Sequence, residues 1–125
     1  MYYADTDAAG VVHHANYLVF FERARTEALR ETGYSLVDLC HNHDTVFAIR
    51  HIDIDYRAPL RLDDEFEIRT QIANIRLTSL EYEQHISLVN EPQTIRTRML
   101  IKIAVVGQDF KPRSLPERLI AEFDR

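Results

Sequence analysis

Four strand-like runs follow one another between Val46 and Val106, and the turns between them are too short to hold a crossover helix. Within each run apolar and polar side chains alternate, which is typical of strands with one face in a core and the other in water. Strands joined by short turns pair antiparallel, because a parallel pair needs a connection of a dozen or more residues. The sequence therefore predicts an antiparallel sheet, with strands at about 46–58, 66–77, 80–89 and 94–106.

One long amphipathic helix precedes these strands. Apolar side chains recur at helical spacing from Tyr17 to Ala28, while charged residues occupy the remaining surface. Gly33 supplies the positive φ with which helices commonly end. The pattern predicts a helix from about Asn16 to Thr32 that buries one broad face.

Shorter elements complete the expected fold. Ser35 and Ser114 stand where helix-capping residues are expected, which predicts a short second helix and a terminal helix from Pro116 to Phe123. The aromatic character of Met1–Ala4 indicates a short first strand. Together these elements predict a single α+β domain over residues 1–125, in which an antiparallel five-stranded sheet wraps around one long central helix.

Composition narrows the functional classes. A chain of 125 residues suits one domain with a real core. The formal charge of -5, with dispersed arginines, argues against nucleic acid as a partner, because phosphate binding relies on a basic face. Cys40 is the only cysteine, which favours a reducing compartment. Met1–Asp5 lacks the form of a secretory signal and no apolar run could span a bilayer, so we expect a cytoplasmic protein without an integral membrane segment.

Two carboxylates stand directly before the predicted long helix. Asp5 and Asp7 are followed by Gly10 and then by the helix start, where free backbone N–H groups can stabilise negative charge. Such carboxylates can also simply cap a turn or helix. A calcium loop is excluded, because Ala9 stands at the fifth position and Asn16 at the twelfth, where a bidentate Glu is required. A parallel-sheet phosphatase is excluded by the absence of alternating β-α units.

A resemblance extends this interpretation over nearly the whole chain. The segments that carry it are Tyr3–Tyr17, which contains Asp5-Thr6-Asp7-Ala8-Ala9-Gly10, then Phe20–Arg25, Ile54–Asp64 and Pro112–Pro116. In these segments the chain resembles hotdog-fold thioesterases of the 4-hydroxybenzoyl-CoA thioesterase family, and within it the branch of acyl-CoA thioesterases associated with the Tol-Pal system. The resemblance implies the hotdog fold and hydrolysis of acyl-CoA thioesters to free acid and CoA, without a metal or cofactor.

The resemblance also assigns roles within the motif. Asp7 matches the family's catalytic carboxylate, as nucleophile or as general base on water. Backbone N–H groups at the helix start, particularly that of His14, match the oxyanion donors, and the His14 side chain is a second catalytic candidate. His13 stands where the family usually has tyrosine. The resemblance implies substrate-binding positions at Gly10, Val11, Val12, His13 and Tyr17.

The implied partners are an acyl-CoA substrate, acyl carrier protein as a second possible carrier, and further copies of the chain. By the resemblance, two protomers pair their sheets and dimers can assemble into tetramers. Two other functions remain open: a non-catalytic module that binds acyl-CoA or acyl carrier protein, and a hotdog dehydratase or hydratase, which the missing His-Asp signature disfavours.

Several other polar residues have ordinary structural interpretations. Asp5 is interpreted as a turn residue and Glu22 as a structural helix residue. The run of His41, Asn42 and His43 is interpreted as a solvated loop, since no further ligand set has convincing metal spacing. Cys40 is expected to be a small buried residue. The candidates for CoA contacts, by charge and position alone, are Arg57, Arg61, Arg76 and Lys111.

Overall fold

A computed structural model describes residues 14–61 and 63–123 of the chain, with side chains from Asn16 onward. One long helix comes first, a short helix and four strands follow, and a short helix comes last. In chain order the elements are α1 (His14–Glu31), α2 (Leu36–His43), β1 (Val46–Tyr56), β2 (Phe66–Arg76), β3 (Ser79–Leu88), β4 (Thr97–Val106) and α3 (Glu117–Phe123).

The four strands form one sheet in the order β1-β4-β3-β2, and all three neighbouring pairs are antiparallel. The predicted antiparallel sheet is thus confirmed. The described residues supply four strands rather than the predicted five, and the strand expected at Met1–Ala4 lies outside them. Three helices are present in the described residues, of which only α1 is long, and the two short ones follow the capping positions that predicted them. At the first of these positions the Ser35 hydroxyl accepts a hydrogen bond from the backbone N–H of Asp38 at 3.1 Å.

The fourth strand begins later than the sequence indicated. It starts at Thr97 instead of residue 94, because the chain between β3 and β4 makes successive tight turns. The backbone N–H of Glu91 donates to the Leu88 carbonyl at 3.0 Å, and that of Thr94 donates to the Glu91 carbonyl at 3.1 Å. The backbone groups in this segment therefore form turn hydrogen bonds before they can join a ladder.

A β-bulge in β1 determines which side chains face the helix. The pairing register with β4 shifts between Ile49 and His51, so Arg50 is the extra residue. Ile49 lies opposite Ile103 and Ile52 lies opposite Ile101, both of which are buried. Without the bulge, strict alternation would send Ile49 to the opposite face from Ile52.

The core lies between α1 and one face of the sheet. Phe20 of α1 contacts Phe66 of the edge strand β2, with ring centroids 5.2 Å apart. Tyr17 contacts Tyr56 of the opposite edge strand β1, with centroids 5.1 Å apart. Since one helix face touches both edges, the sheet curves around α1, as the hotdog arrangement predicts.

The edge strand β1 is more exposed than expected. The sequence predicted a half-buried strand, but most of its side chains are exposed, including Ile49 and Ile52. Both residues pair with inward-facing residues of β4, so their side chains point to the helix side of the sheet. The helix covers that side incompletely, which leaves an open apolar strip beside β1.

The turn after β4 contains one residue, Phe110, in an unfavourable backbone conformation. Phe110 has φ +62° and is 76% exposed, so an aromatic residue occupies a left-handed conformation without a packing benefit. We predict that Phe110→Gly raises the free energy of unfolding by about 0.5–1 kcal/mol, after the greater chain entropy of glycine is subtracted. Urea unfolding measures this. Phe110→Ala, which keeps the left-handed cost, is the control, and equal stabilisation by both variants would contradict the explanation.

Candidate functional site

The start of α1 is held against the loop that follows β1. Tyr17 lies in the first turn of the helix and is 3% exposed. Its hydroxyl accepts a hydrogen bond from the backbone N–H of Leu60 at 2.9 Å, while its ring packs edge-on against Tyr56. Burial raises the pKa of Tyr56 above its ordinary value, with a smaller contribution from Tyr17. Aromatic packing and one buried hydrogen bond thus fix the position of the helix start.

The predicted catalytic motif immediately precedes α1 in the sequence. His14 is the first residue of α1, so the motif directly precedes the end of the helix that carries unpaired backbone N–H groups. Tyr17 is the one predicted site residue whose side chain is described. The other predicted site residues lie outside the described residues: Asp7, Gly10, Val11, Val12 and His13.

A buried amide links the middle of α1 to the sheet. Gln84 of β3 is fully buried, and its side-chain Nε2 donates to the Phe21 carbonyl at 2.9 Å and to the Thr70 hydroxyl at 3.0 Å. Its Oε1 accepts from Arg25 Nη1 at 2.8 Å. One side chain therefore joins α1, β2 and β3, and it satisfies the polar groups that this contact removes from water.

Sequence reasoning missed this residue, although a signal was present. Inward positions of β3 are Leu80, Tyr82, Gln84 and Ile86, so Gln84 is a polar residue in an apolar register. Such a position requires hydrogen-bonding partners in the core. Only the fold could identify Arg25 as one of them, because the two residues are 59 positions apart.

A groove runs between α1 and the helix side of β1 and ends at the first turn of α2. Its lining is mostly apolar, and its volume is about 170 Å³. The helix contributes side chains at the spacing of one face, which are Glu22, Arg25, Thr26 and Leu29. The other lining residues are Leu36, Phe47, Ile49, Tyr82 and Ile103.

Two charged helix residues border this groove. Glu22, interpreted from sequence as structural, has an exposed side chain on its wall. Arg25 is partly buried, and burial lowers the pKa of its guanidinium, an effect that Tyr82 and Glu22 oppose. Gln84 holds the Arg25 head at the inner side of the groove, so the methylene stem of Arg25 can contribute to the lining.

The chain matches the family model of the thioesterase superfamily over residues 9–95. It belongs to the thioesterase superfamily. It is 44% identical over 124 residues to the acyl-CoA thioester hydrolase YbgC of Escherichia coli O6:H1, covering 98% of this chain and 90% of that protein. It is 34% identical to the acyl-CoA thioesterase YbgC of Haemophilus influenzae, with 98% and 89% covered. These matches confirm the family that the sequence motifs indicated, and with it a thioester hydrolase.

Solved thioesterase structures share the fold of this member of the superfamily. A probable thioesterase from Bartonella henselae superposes with a TM-score of 0.84 at 35% identity, covering 93% of this chain and 94% of that chain. The helix-in-sheet architecture described above is therefore the hotdog thioesterase fold, formed here by four described strands and three helices.

The remaining polar candidates lie on α2 of this thioesterase. His43 is 3.8 Å from Asp38, and Asn42 donates to Asp38 at 2.6 Å, so this run forms local surface pairs. In the described part of the chain, no three potential ligands among His, Cys, Asp and Glu are grouped to hold a metal ion. Cys40 is partly exposed, contrary to the expectation of burial, because α2 turns Leu39 into the core instead.

The predicted CoA-contacting cations do not form one cluster. Arg57 and Arg61 flank Leu60, close to the start of α1, although Arg57 pairs with Asp55 at 2.9 Å. Arg76 ends β2, and Lys111 lies in the turn after β4. Among the helices described, none is long and apolar enough to cross a membrane.

Tyr82 makes the free energy of unfolding of this thioesterase depend on pH in the alkaline range. Burial raises its pKa to about 12 from the ordinary 10, although Arg25 acts in the opposite direction. Between pH 10 and pH 12 the unfolded state loses the phenolic proton before the folded state does, so the free energy of unfolding falls as pH rises, by up to about 3 kcal/mol. We predict that Tyr82→Phe removes this contribution, as measured by urea unfolding across that range. An unchanged pH slope in the variant would contradict the prediction.

Gln84→Leu removes three hydrogen bonds and leaves the partly buried Arg25 guanidinium without this acceptor. We predict a loss of about 3 kcal/mol in the free energy of unfolding. The double variant Arg25→Met with Gln84→Leu should recover part of that loss, because no charge is then left beside an apolar leucine. Gln71→Leu, at an exposed position of β2, serves as the control and should change stability little. If the losses of unfolding free energy caused by Arg25→Met and by Gln84→Leu simply add up in the double variant, Arg25 and Gln84 are not coupled and the explanation is wrong.

Proposed function

We propose that this protein hydrolyses acyl-CoA thioesters to a free acid and CoA. The observation that carries the proposal is the 44% identity, over 98% of the chain, to the acyl-CoA thioester hydrolase YbgC of Escherichia coli. The segment with the predicted catalytic motif lies within that alignment, and the thioesterase family match begins at residue 9, two positions after Asp7. The fold supports the proposal by presenting a fixed helix start beside an apolar groove.

We assign the attacking or water-activating carboxylate to Asp7. Attack on the thioester carbonyl creates negative charge on its oxygen, and unpaired N–H groups at the start of a helix are suited to stabilise that charge. The N–H of His14 belongs to this end of α1. Asp7 acts in one of two ways. It adds to the carbonyl and expels the CoA thiolate, after which water hydrolyses the resulting mixed anhydride, or it takes a proton from a water that attacks the carbonyl directly. In both cases the final products are the free acid and CoA.

Precise placement of the helix start supports this mechanism. The hydroxyl of Tyr17 bonds the backbone at Leu60, and Gln84 bonds the helix carbonyl of Phe21, so two buried contacts along α1 restrict its movement. Donors that are fixed before the reaction need no reorganisation as charge develops. Under this proposal Tyr17 acts mainly through the shape of the site, since its hydroxyl already has a partner. Gly10, Val11, Val12 and His13 would form the adjoining substrate contacts, and no cofactor is required.

We further propose that the protein works as a homodimer, with dimers able to pair into tetramers. The support is the exposed apolar character of β1, an edge strand of the described sheet, where Ile49 and Ile52 are accessible. Exposed apolar edge strands favour pairing with another chain. Acyl carrier protein is a second possible carrier of the acyl group. The single cysteine, Cys40, is free and fits a cytoplasmic location.

The carboxylate pair before α1 provides a matched test. We predict that Asp7→Asn lowers kcat for acyl-CoA hydrolysis by at least about a thousandfold, because loss of the ionised carboxylate removes the attacking group or base, while Asp5→Asn stays close to wild type. Mass spectrometry of free acid and CoA over an acyl-CoA panel measures turnover, and circular dichroism checks the fold. Undiminished turnover by Asp7→Asn would overturn the role of Asp7.

The same panel tests the competing functions. A wild-type protein that binds acyl-CoA without releasing CoA would be a binding module, and one that changes the acyl mass without releasing CoA would be a dehydratase or hydratase. Either result would replace the proposed thioester hydrolysis.

A further inference from the structure

The outer face of the sheet, which points away from α1, has a shallow depression beside the turn between β2 and β3. Four of its lining residues have basic side chains, and these are Arg50, His51, Arg76 and Lys102. The other lining residues are Ser79, Leu80, Glu81 and Ile103. The depression is open to solvent and has a volume of about 610 Å³, which lies within the usual range for small-molecule sites.

The β-bulge in β1 brings two basic side chains to this depression. Ile49 and Ile52 both lie opposite buried residues of β4 and face the helix. Arg50, the extra residue of the bulge, and His51, which lies opposite Lys102, occupy the two positions between them. Both line the depression on the outer face, whereas a regular strand would turn one of them toward the helix.

A second bulge lies in β2, at the other edge of the described sheet. The register with β3 shifts between Ile72 and Asn74, and beyond this shift Arg76 lies opposite Ser79 on the outer face. Ser79 pairs in turn with Ala104 of β4. These two central positions have small side chains, which leave the space between the edge strands open. Both edge strands therefore contribute basic side chains to one depression.

Acidic neighbours do not neutralise these basic side chains. Glu81 is the one acidic residue among the described lining residues, and its carboxylate lies 4.0 Å from the Lys102 ammonium, at the outer limit of an ion pair. Among the described residues, neither Arg50 nor Arg76 makes a salt bridge or a side-chain hydrogen bond. The depression thus has an excess of positive charge in a chain whose formal charge is -5. Unpaired like charges repel one another, so their grouping indicates an anionic ligand.

The spacing of the basic residues indicates the kind of anion. Arg76 and His51 belong to the two edge strands, which are three strand spacings apart in the described sheet, or about 14 Å at about 4.8 Å per spacing. Lys102 lies between them on β4. A single phosphate group is too small to contact both edges, whereas an extended molecule with several phosphate groups can do so. Arginine suits this role, because its planar guanidinium binds phosphate oxygens in pairs.

The depression stays accessible when two copies of the chain pair through β1. Edge pairing joins the backbones of two strands, and the side chains of the outer face stand roughly perpendicular to the sheet. The apolar residues that support this pairing, Ile49 and Ile52, lie on the other face. The depression is also separate from the start of α1, because that helix covers the other face and begins near Tyr56, at the end of β1.

We propose that this depression is a binding site for an organic polyphosphate, for which ATP is the probe. Arg50 and Arg76 bind phosphate groups from the two edge strands, and Lys102 contributes a third positive charge between them. This binding function goes beyond the proposed hydrolysis of acyl-CoA and does not depend on it.

Isothermal titration calorimetry with ATP in the presence of EDTA tests this site. We expect wild type to bind ATP, and to bind inorganic phosphate at least about tenfold more weakly, because one phosphate cannot contact both edges. Arg50→Gln and Arg76→Gln should each raise the Kd for ATP at least about tenfold through the loss of a charge-assisted contact. Arg76→Lys keeps the charge and should retain part of the affinity.

Arg69→Gln is the matched control. It removes the same charge from an exposed position of β2 that also faces outward, opposite His85, but lies outside the depression. It should leave the Kd for ATP close to that of wild type. Circular dichroism checks that each variant folds, which is expected because all of the replaced side chains are exposed.

Several results would overturn the proposed site. They are the absence of ATP binding by wild type, unchanged ATP binding by Arg50→Gln and Arg76→Gln, and an equal effect of Arg69→Gln, which would reveal only general charge attraction. Tighter binding of single-stranded RNA than of ATP would assign the cations to nucleic acid. Dissociation of the assembly by Arg50→Gln in sedimentation velocity, without a change in ATP binding, would assign them to a contact between copies.

The nucleotide of CoA has the same phosphate chemistry and needs its own comparison. If Arg50→Gln and Arg76→Gln raise KM for an acyl-CoA but leave hydrolysis of the matching acyl-pantetheine unchanged, the cations belong to the substrate site and a separate polyphosphate site is wrong. We expect both substrates to be hydrolysed as by wild type. If wild type hydrolyses no acyl-CoA, the proposed function fails, and calorimetry with ATP still tests the depression.

Discussion

Two of the three hydrogen bonds of Gln84 reach α1 and hold it in one position against the sheet, and the groove beside the helix depends on that position. The amide contacts the helix carbonyl of Phe21, the Thr70 hydroxyl of β2 and the Arg25 guanidinium at distances between 2.8 and 3.0 Å. Apolar packing alone tolerates small shifts of a helix, whereas directional bonds from a fully buried amide do not. This Gln84 bridge therefore fixes the middle of α1 against β2 and β3, and with it the direction of the helix that follows the predicted catalytic motif in the sequence.

Much of the fold was predictable because it depends on local periodicity. The alternation within the strands and the short turns between them predicted four antiparallel strands, and the capping position of Ser35 predicted α2. Boundaries were less predictable, since the turns before Thr97 form hydrogen bonds that residue type alone does not reveal. The bulge at Arg50 was also unforeseen, because a run of apolar and polar residues does not show where pairing with β4 shifts.

The site was predictable in part, for a different reason. The motif before α1 indicated the reaction through a resemblance to a family, and Tyr17 lies where that motif enters the helix. The partnership of Gln84 with Arg25 could not be derived, because it joins residues far apart in the chain. The groove could not be derived either. The sequence predicted only a half-buried strand here, whereas the structure shows that Ile49 and Ile52 both face the helix and that the position of α1 leaves them accessible.

The Gln84 bridge and the groove are two consequences of one placement of the helix. Gln84 belongs to β3, so its bonds hold α1 over the β2 and β3 side of the sheet, where Phe20 also contacts Phe66. The helix consequently leaves Ile49 and Ile52 of β1 exposed, and a groove between α1 and β1 extends to Leu36 of α2. Moving α1 toward β1 would bury Ile49 and Ile52 and gain hydrophobic stabilisation. It would also break the two hydrogen bonds that Gln84 makes to α1, of which the one to the charged Arg25 contributes about 1.5–3 kcal/mol. The polar bridge thus keeps open an apolar surface that packing alone would close.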